Sequence, residues 1–135
     1  MLRLTRSAYD EVVAHARRDH PDEACGVLPG RDGEVTRVVP MTNAQRSPTG
    51  FELDGGELLR LTRAMDDADE ELLVLYHSHT MTEAAPSRTD VRFAANLPGT
   101  HWLLISTRDP AAAEVRAFTI DDGAVTEEEL VVLDG

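Results

Sequence analysis

Within fourteen residues the chain reads His77-Ser78-His79, a gap of seven, and Ser87-Arg88-Thr89-Asp90. Ahead of it lies Glu71-Leu72-Leu73-Val74-Leu75-Tyr76, an apolar and β-compatible run. Side chains on an extended strand alternate with period two, so His77 and His79 share one face at the C-terminal end of a buried strand. Thr80 to Pro86 is a loop by composition, and Asp90 falls where the next helix begins. Two imidazoles and a carboxylate brought together this way make a three-ligand metal site with an open fourth position. Imidazole nitrogen and carboxylate oxygen suit zinc, and three protein ligands are the catalytic rather than the structural arrangement. One Zn²⁺ per chain is the expectation.

Each half of the pattern also has an ordinary reading. A His-x-His at a strand end can be a solvated pair, and Ser87-x-x-Asp90 alone is a helix capping box. The joint spacing is the specific signal. With an upstream acidic residue, the string resembles the zinc-isopeptidase signature of the JAMM (MPN+) family. That resemblance implies an α/β fold: a three-layer α-β-α arrangement around a central mixed sheet, with cytidine-deaminase-like JAMM/MPN architecture. The stretches Asn43–Thr49 before Phe51 and His79–Asp90 carry the likeness further. Thr80 stands where many relatives have proline, a change at a non-ligand that bears on loop rigidity.

The resemblance also implies a base for proton transfer, near the start of a strand that follows the first helix. Glu23, in Pro21-Asp22-Glu23-Ala24-Cys25-Gly26, is the matching position. Spacing alone does not raise it above Asp22 or Glu52. Ser87 is compatible with two jobs at a helix N-terminus, capping the helix or donating to an oxyanion, and the resemblance implies the second. Ser78 points to the opposite strand face and reads as structural.

The length of 135 residues fits one domain, 1–135, with a real core. Thirteen basic against 25 acidic residues give −12, which argues against nucleic acid or anionic membrane as partners. No apolar run is long enough to span a bilayer. The first residues lack the apolar segment of a signal peptide, and the single Cys25 excludes an intrachain disulfide. A cytoplasmic protein is expected, with a homo-oligomer possible.

Patterning predicts a first helix opening at Ser7 and stopping before Pro21, then strands at 24–28 and 34–39 around a Pro29–Gly33 turn. A second helix fits 56–68, with Leu58, Leu59, Leu61 and Met65 near one face, and a third fits 88–96. Strands at 101–107, 114–120 and 124–132 complete an α/β order, with Asp122-Gly123 as a turn. His15 and His20 read as solvated, His101 as core packing, Cys25 as a small buried hydrophobe, and Glu127–Glu129 as a solvated run.

Three functions compete. A zinc peptidase uses all five positions; a non-catalytic scaffold of the same fold would not need them. A zinc nucleobase deaminase needs His-x-Glu and Pro-Cys-x-x-Cys, which one cysteine cannot supply. Within the peptidase reading, the chain looks like the bacterial branch acting on small ubiquitin-like sulfur-carrier proteins. The resemblance then implies a Gly-Gly tail as substrate and released cysteine, feeding cysteine synthesis; removal of modifiers from lysines is the alternative. Arg46 and Arg88 flank the expected site and are candidates to meet the carboxylate of the released amino acid.

Overall fold

In the computed structural model, residues 1–134 are described. The chain opens with β1 (Leu2–Thr5) and α1 (Arg6–Asp19), followed by β2 (Cys25–Arg31), β3 (Glu34–Val35) and β4 (Val39–Met41). Next come α2 (Gly55–Asp67), β5 (Glu71–His79), α3 (Arg88–Ala94) and β6 (His101–Ser106). The last three strands are β7 (Glu114–Asp121), β8 (Ala124–Glu128) and β9 (Leu130–Leu133).

The main sheet runs β3-β2-β5-β6-β7-β8, with β4 also on β2. Only β5 and β6 pair in parallel, joined by a crossover that carries α3, so the sheet is mixed. Alternation divides the core into two layers. Leu28, Val74, Tyr76, Leu103 and Ile105 pack with Val12 and Ala16 of α1 and with Leu2 and Leu4 of β1. Val27, Leu75, Trp102, Leu104 and Phe118 pack with Leu61 and Met65 of α2 and Ala94 of α3. A sheet covered on both faces reads as near-continuous apolar runs, as β5 and β6 do. This is the expected α-β-α layering.

Several expected boundaries move. The first helix starts two residues early, directly after the strand Leu2–Thr5. Its N-cap is Thr5, whose Oγ1 accepts from Ala8 N at 3.1 Å, and not Ser7. β2 runs on through Pro29 and Gly30, and the turn is only Asp32-Gly33, with φ of 55° and 79°. Both central residues are left-handed, as a two-residue turn that follows strand twist requires. The predicted 34–39 strand divides into β3, paired with Gly30–Arg31, and β4, paired with Cys25–Val27; between them Pro29 O accepts from Thr36 N at 2.8 Å. The predicted 124–132 strand also divides. β8 stays in the main sheet, whereas β9 leaves it to pair in parallel with β1.

Individual residues depart too. His15 is buried, Leu59 is 53% exposed rather than packed, and the Glu128 side chain folds inward to His101 Nδ1 at 2.6 Å and the Met1 amine at 3.3 Å. For His15 and Glu128 a tertiary partner outweighs the local pattern. No helix among the described residues is long and apolar enough to cross a membrane.

Candidate metal centre

β5 emerges at the α2–α3 side of the sheet with Leu75, His77 and His79 on that face. The next backbone to reach them is α3. Ser87 is its N-cap: its Oγ accepts from Asp90 N at 3.1 Å, while Asp90 Oδ2 accepts from Ser87 N at 2.9 Å. The capping box turns the Asp90 carboxylate inward, so the ordinary reading of this motif and the ligand reading hold together.

One donor atom each from His77, His79 and Asp90 lies within 4.8 Å of the others, and all three residues are buried. His77 Nε2 is 3.0 Å from Asp90 Oδ1, and His79 Nε2 is 3.4 Å from Asp90 Oδ2. His79 Nδ1 lies 3.0 Å from Glu83 O, which can only accept, so Nδ1 carries the proton and Nε2 presents its lone pair. Glu23, also buried, sits at the entry to β2 with Oε1 3.5 Å from His77 Nδ1.

The His77 ring is the tightest test of what the site accepts. It is 1% exposed, stacked on Phe51 at 4.4 Å and edge-on to Trp102 at 6.1 Å. Neither of its nitrogens makes a hydrogen bond, since the short approach to Asp90 is not aligned as one. Buried polar atoms are nearly always partnered. Burial opposes charge on this ring, yet Asp90 and then Glu23 outweigh it and hold the pKa up at about 9. Burial likewise opposes ionisation of Asp90, but His77, His79 and the Ser87 N–H hold its carboxyl far below the usual range. Two carboxylates, Glu23 and Asp90, thus approach the buried His77 ring through its two nitrogens. A divalent metal ion fits the donor set and the orphaned His77 Nε2, which faces Asp90.

A cleft of about 230 Å³ opens over these residues, lined by Glu23, Phe51, His77, His79, Ser87 and Asp90 among others. Its walls are pinned by side chains. Thr80 Oγ1 donates to Pro48 O at 2.9 Å, Ser106 Oγ to Thr82 O at 2.6 Å, and Glu114 Oε1 accepts from Ala84 N at 2.6 Å. Thr80 thus ties its loop to the neighbouring one by a hydrogen bond. Ser78 is structural, accepting from Ala24 N at 2.8 Å. Cys25 is fully buried opposite His77 in the β2–β5 ladder.

The two candidate arginines part company. Arg46 lines a second cavity that also reaches Glu23, whereas Arg88 is exposed at the first position of α3 and lines neither space. Sequence reasoning passed over Phe51 as a ring partner. It also missed Asn43, whose Nδ2 donates to Glu23 O and Gly50 O, each at 3.0 Å. A buried Asn inside a polar loop is the available signal, since such a residue must find partners.

Residues 5–121 match the family described as prokaryotic homologs of the JAB domain. The chain is 60% identical to the CysO-cysteine peptidase of Mycobacterium tuberculosis, over 99% of this chain and 92% of that protein. It is 35% identical to a "Probable TtuB-protein conjugate cleaving protease" of Thermus thermophilus, over 98% of this chain and 84% of that one. A Desulfitobacterium hafniense protein with a known solution structure superposes with a TM-score of 0.87 at 37% identity, covering 100% of this chain and 94% of its own. A crystal structure of a JAB1/MPN domain protein from Archaeoglobus fulgidus shares the fold, with a TM-score of 0.63 at 17% identity and coverage of 98% and 99%. Fold, site geometry and these likenesses converge, and the chain belongs to the prokaryotic JAB-domain family.

Proposed function

We propose that this protein is a zinc peptidase that hydrolyses the bond after the Gly-Gly tail of a small ubiquitin-like sulfur-carrier protein and frees cysteine. The observation that carries the reading is the buried His77–His79–Asp90 cluster, with His77 Nε2 unpartnered beside Asp90, sharing one cleft with Glu23. Similarity to a CysO-cysteine peptidase over nearly the full chain points to the substrate class. His77, His79 and Asp90 hold one zinc ion, which when bound acidifies water and polarises a carbonyl.

Glu23 takes a proton from the attacking water and returns it to the amine as the C–N bond breaks. The products are a Gly-Gly carboxylate and free cysteine. Ser87 Oγ receives the Asp90 N–H through a lone pair, which leaves its own hydrogen to donate to the oxyanion of the tetrahedral intermediate. Capping and catalysis therefore use different sides of one hydroxyl. Phe51 and Trp102 shield His77 from water and strengthen electrostatics at the site. A glycine tail suits a cleft of this size because it can lie extended without side chains. A lone buried thiol is compatible with a cytoplasmic setting.

The test is mass spectrometry of a carrier–cysteine adduct incubated with zinc-loaded protein. Loss of one cysteinyl residue, absent after chelation, is the expected result. An intact adduct beside efficient cleavage of lysine-linked conjugates would make the protein a deconjugating enzyme.

A further inference from the structure

Glu23 borders two spaces. Behind the metal-side cleft, a cavity of about 450 Å³ is lined by Asp19, Asp22, Glu23 and Arg46, with His15 and Arg18. Glu23 is the residue the two linings share. Glu23 thus stands between a space over the His77, His79 and Asp90 side chains and a second one lined by charged residues.

The charges of this second cavity are ordered. Asp19 is already engaged, its Oδ2 3.1 Å from His15 Nε2 and its Oδ1 3.9 Å from Arg18 Nε. The His15 ring is braced from the other side by Tyr76 Oη at 2.6 Å. Arginine ion pairs among the described residues engage Arg18, Arg37 and Arg116 and leave Arg46 without a carboxylate. Arg46 is also held in place through its backbone. Its φ is 47°, a left-handed conformation uncommon for a residue with a side chain, and its N–H donates to Asn43 O at 3.1 Å. The next residue closes the clasp, Ser47 O accepting from Glu23 N at 2.8 Å, while Asn43 Nδ2 holds Glu23 O. One short loop thus ties the backbone of an unpaired guanidinium to the backbone of Glu23.

A free amino acid leaving an amide bond carries an ammonium and a carboxylate on one carbon. Glu23 and Asp22 suit the first, and a guanidinium suits the second through paired N–H donors. We propose that the cavity behind Glu23 is the leaving-residue subsite and that Arg46 recognises the free α-carboxylate there. This rests on the hydrolytic reading above and deepens it. The enzyme selects a terminal amino acid over an amine borne on a lysine side chain, because an isopeptide offers no carboxylate at that position. It reads the carboxylate and not the cysteine thiol.

The experiment compares kcat/KM for two carrier adducts, one ending in cysteine and one in cysteine carboxamide, with wild type, Arg46→Gln and Arg46→Lys. Wild type should prefer the acid by about 10- to 100-fold, the range of one charge-assisted contact, mostly through KM. Arg46→Gln should collapse that ratio toward one, and Arg46→Lys should restore part of it. Because each ratio is taken within one protein, a loss of folded enzyme cancels. Equal cleavage of acid and carboxamide by wild type, or a preference that survives Arg46→Gln, would overturn the subsite while leaving the hydrolase standing. Cleavage of neither by zinc-loaded wild type would remove the functional reading itself, and the subsite with it.

Discussion

Strand β5 carries neighbouring residues into two different environments. Tyr76 and Ser78 face α1, and each polar atom there has a partner: Tyr76 Oη meets His15 Nδ1 at 2.6 Å, and Ser78 Oγ receives Ala24 N at 2.8 Å. His77 faces α3, just as deeply buried, and neither ring nitrogen has one. The same backbone and the same burial thus give a satisfied face and an unsatisfied one. An unpaired buried polar atom costs about 1–3 kcal/mol, and a metal ion at the ring nitrogen facing Asp90 would offset that cost. The contrast separates residues that hold the sheet together from residues whose donor atoms fit a metal ion.

Replacing His77 with Ala should break that contrast most severely. Two ligands cannot hold zinc against water, so stoichiometric metal and activity should both disappear, read by elemental analysis and turnover. Full metal loading in this variant would place the site elsewhere. Glu23→Gln should keep the metal and lose about 10²–10⁴-fold in kcat, because an amide cannot relay a proton. Normal turnover would hand that role to another carboxylate, Glu52 being the next to test. Ser87→Ala should lower kcat by about 10²–10³ if the hydroxyl meets the oxyanion. Loss of the cap alone would instead lower stability by about 1 kcal/mol with turnover little changed, so melts beside kinetics separate the roles.

Two further tests sharpen the comparison through stability. In metal-free protein the His77 pKa is raised from 6.5 to about 9 by Asp90 and Glu23 against the opposing effect of burial. A raised folded-state value stabilises fully below the unfolded pKa and is lost as pH rises through the folded one. Chelated protein should therefore lose stability between about pH 6.5 and 9 through this ring, while His77→Gln flattens that part of the profile. A chelated wild type whose Tm follows the variant's across this window would contradict the charged ring. Tyr76→Phe, on the satisfied face, should have the smallest effect, about 1–3 kcal/mol from the unpaired His15 nitrogen. Zinc content should stay at one per chain; a loss of metal here would erase the division between the two faces.

The parts legible in the sequence are those with a local rule behind them. Period-two alternation puts His77 and His79 together, a capping box aims Asp90, and Asp122-Gly123 makes its turn with both residues left-handed. Glu23 had no local rule; only resemblance separated it from Asp22 and Glu52, and the fold brings it to His77 through the β2–β5 pairing. The parallel pairing of Leu2–Thr5 with Leu130–Leu133 was invisible because a pairing between distant segments leaves no short-range pattern. The burial of His15 escapes the sequence for a related reason. Its helix face looks polar until Tyr76, 61 positions on, supplies the partner that lets it be buried.

Cys25 pairs across the ladder with His77, has no exposed surface, and has a thiol that burial pushes up to about 12. Thiol–disulfide exchange runs through an accessible thiolate, and this sulfur offers neither the charge nor the access. With cysteine as the proposed product, the site repeatedly fills with a small thiol that oxidises readily to its disulfide. A surface cysteine near the cleft would be capped by that disulfide in proportion to turnover. The chain's sole cysteine, sealed in the ladder opposite His77, is out of reach of such self-inactivation.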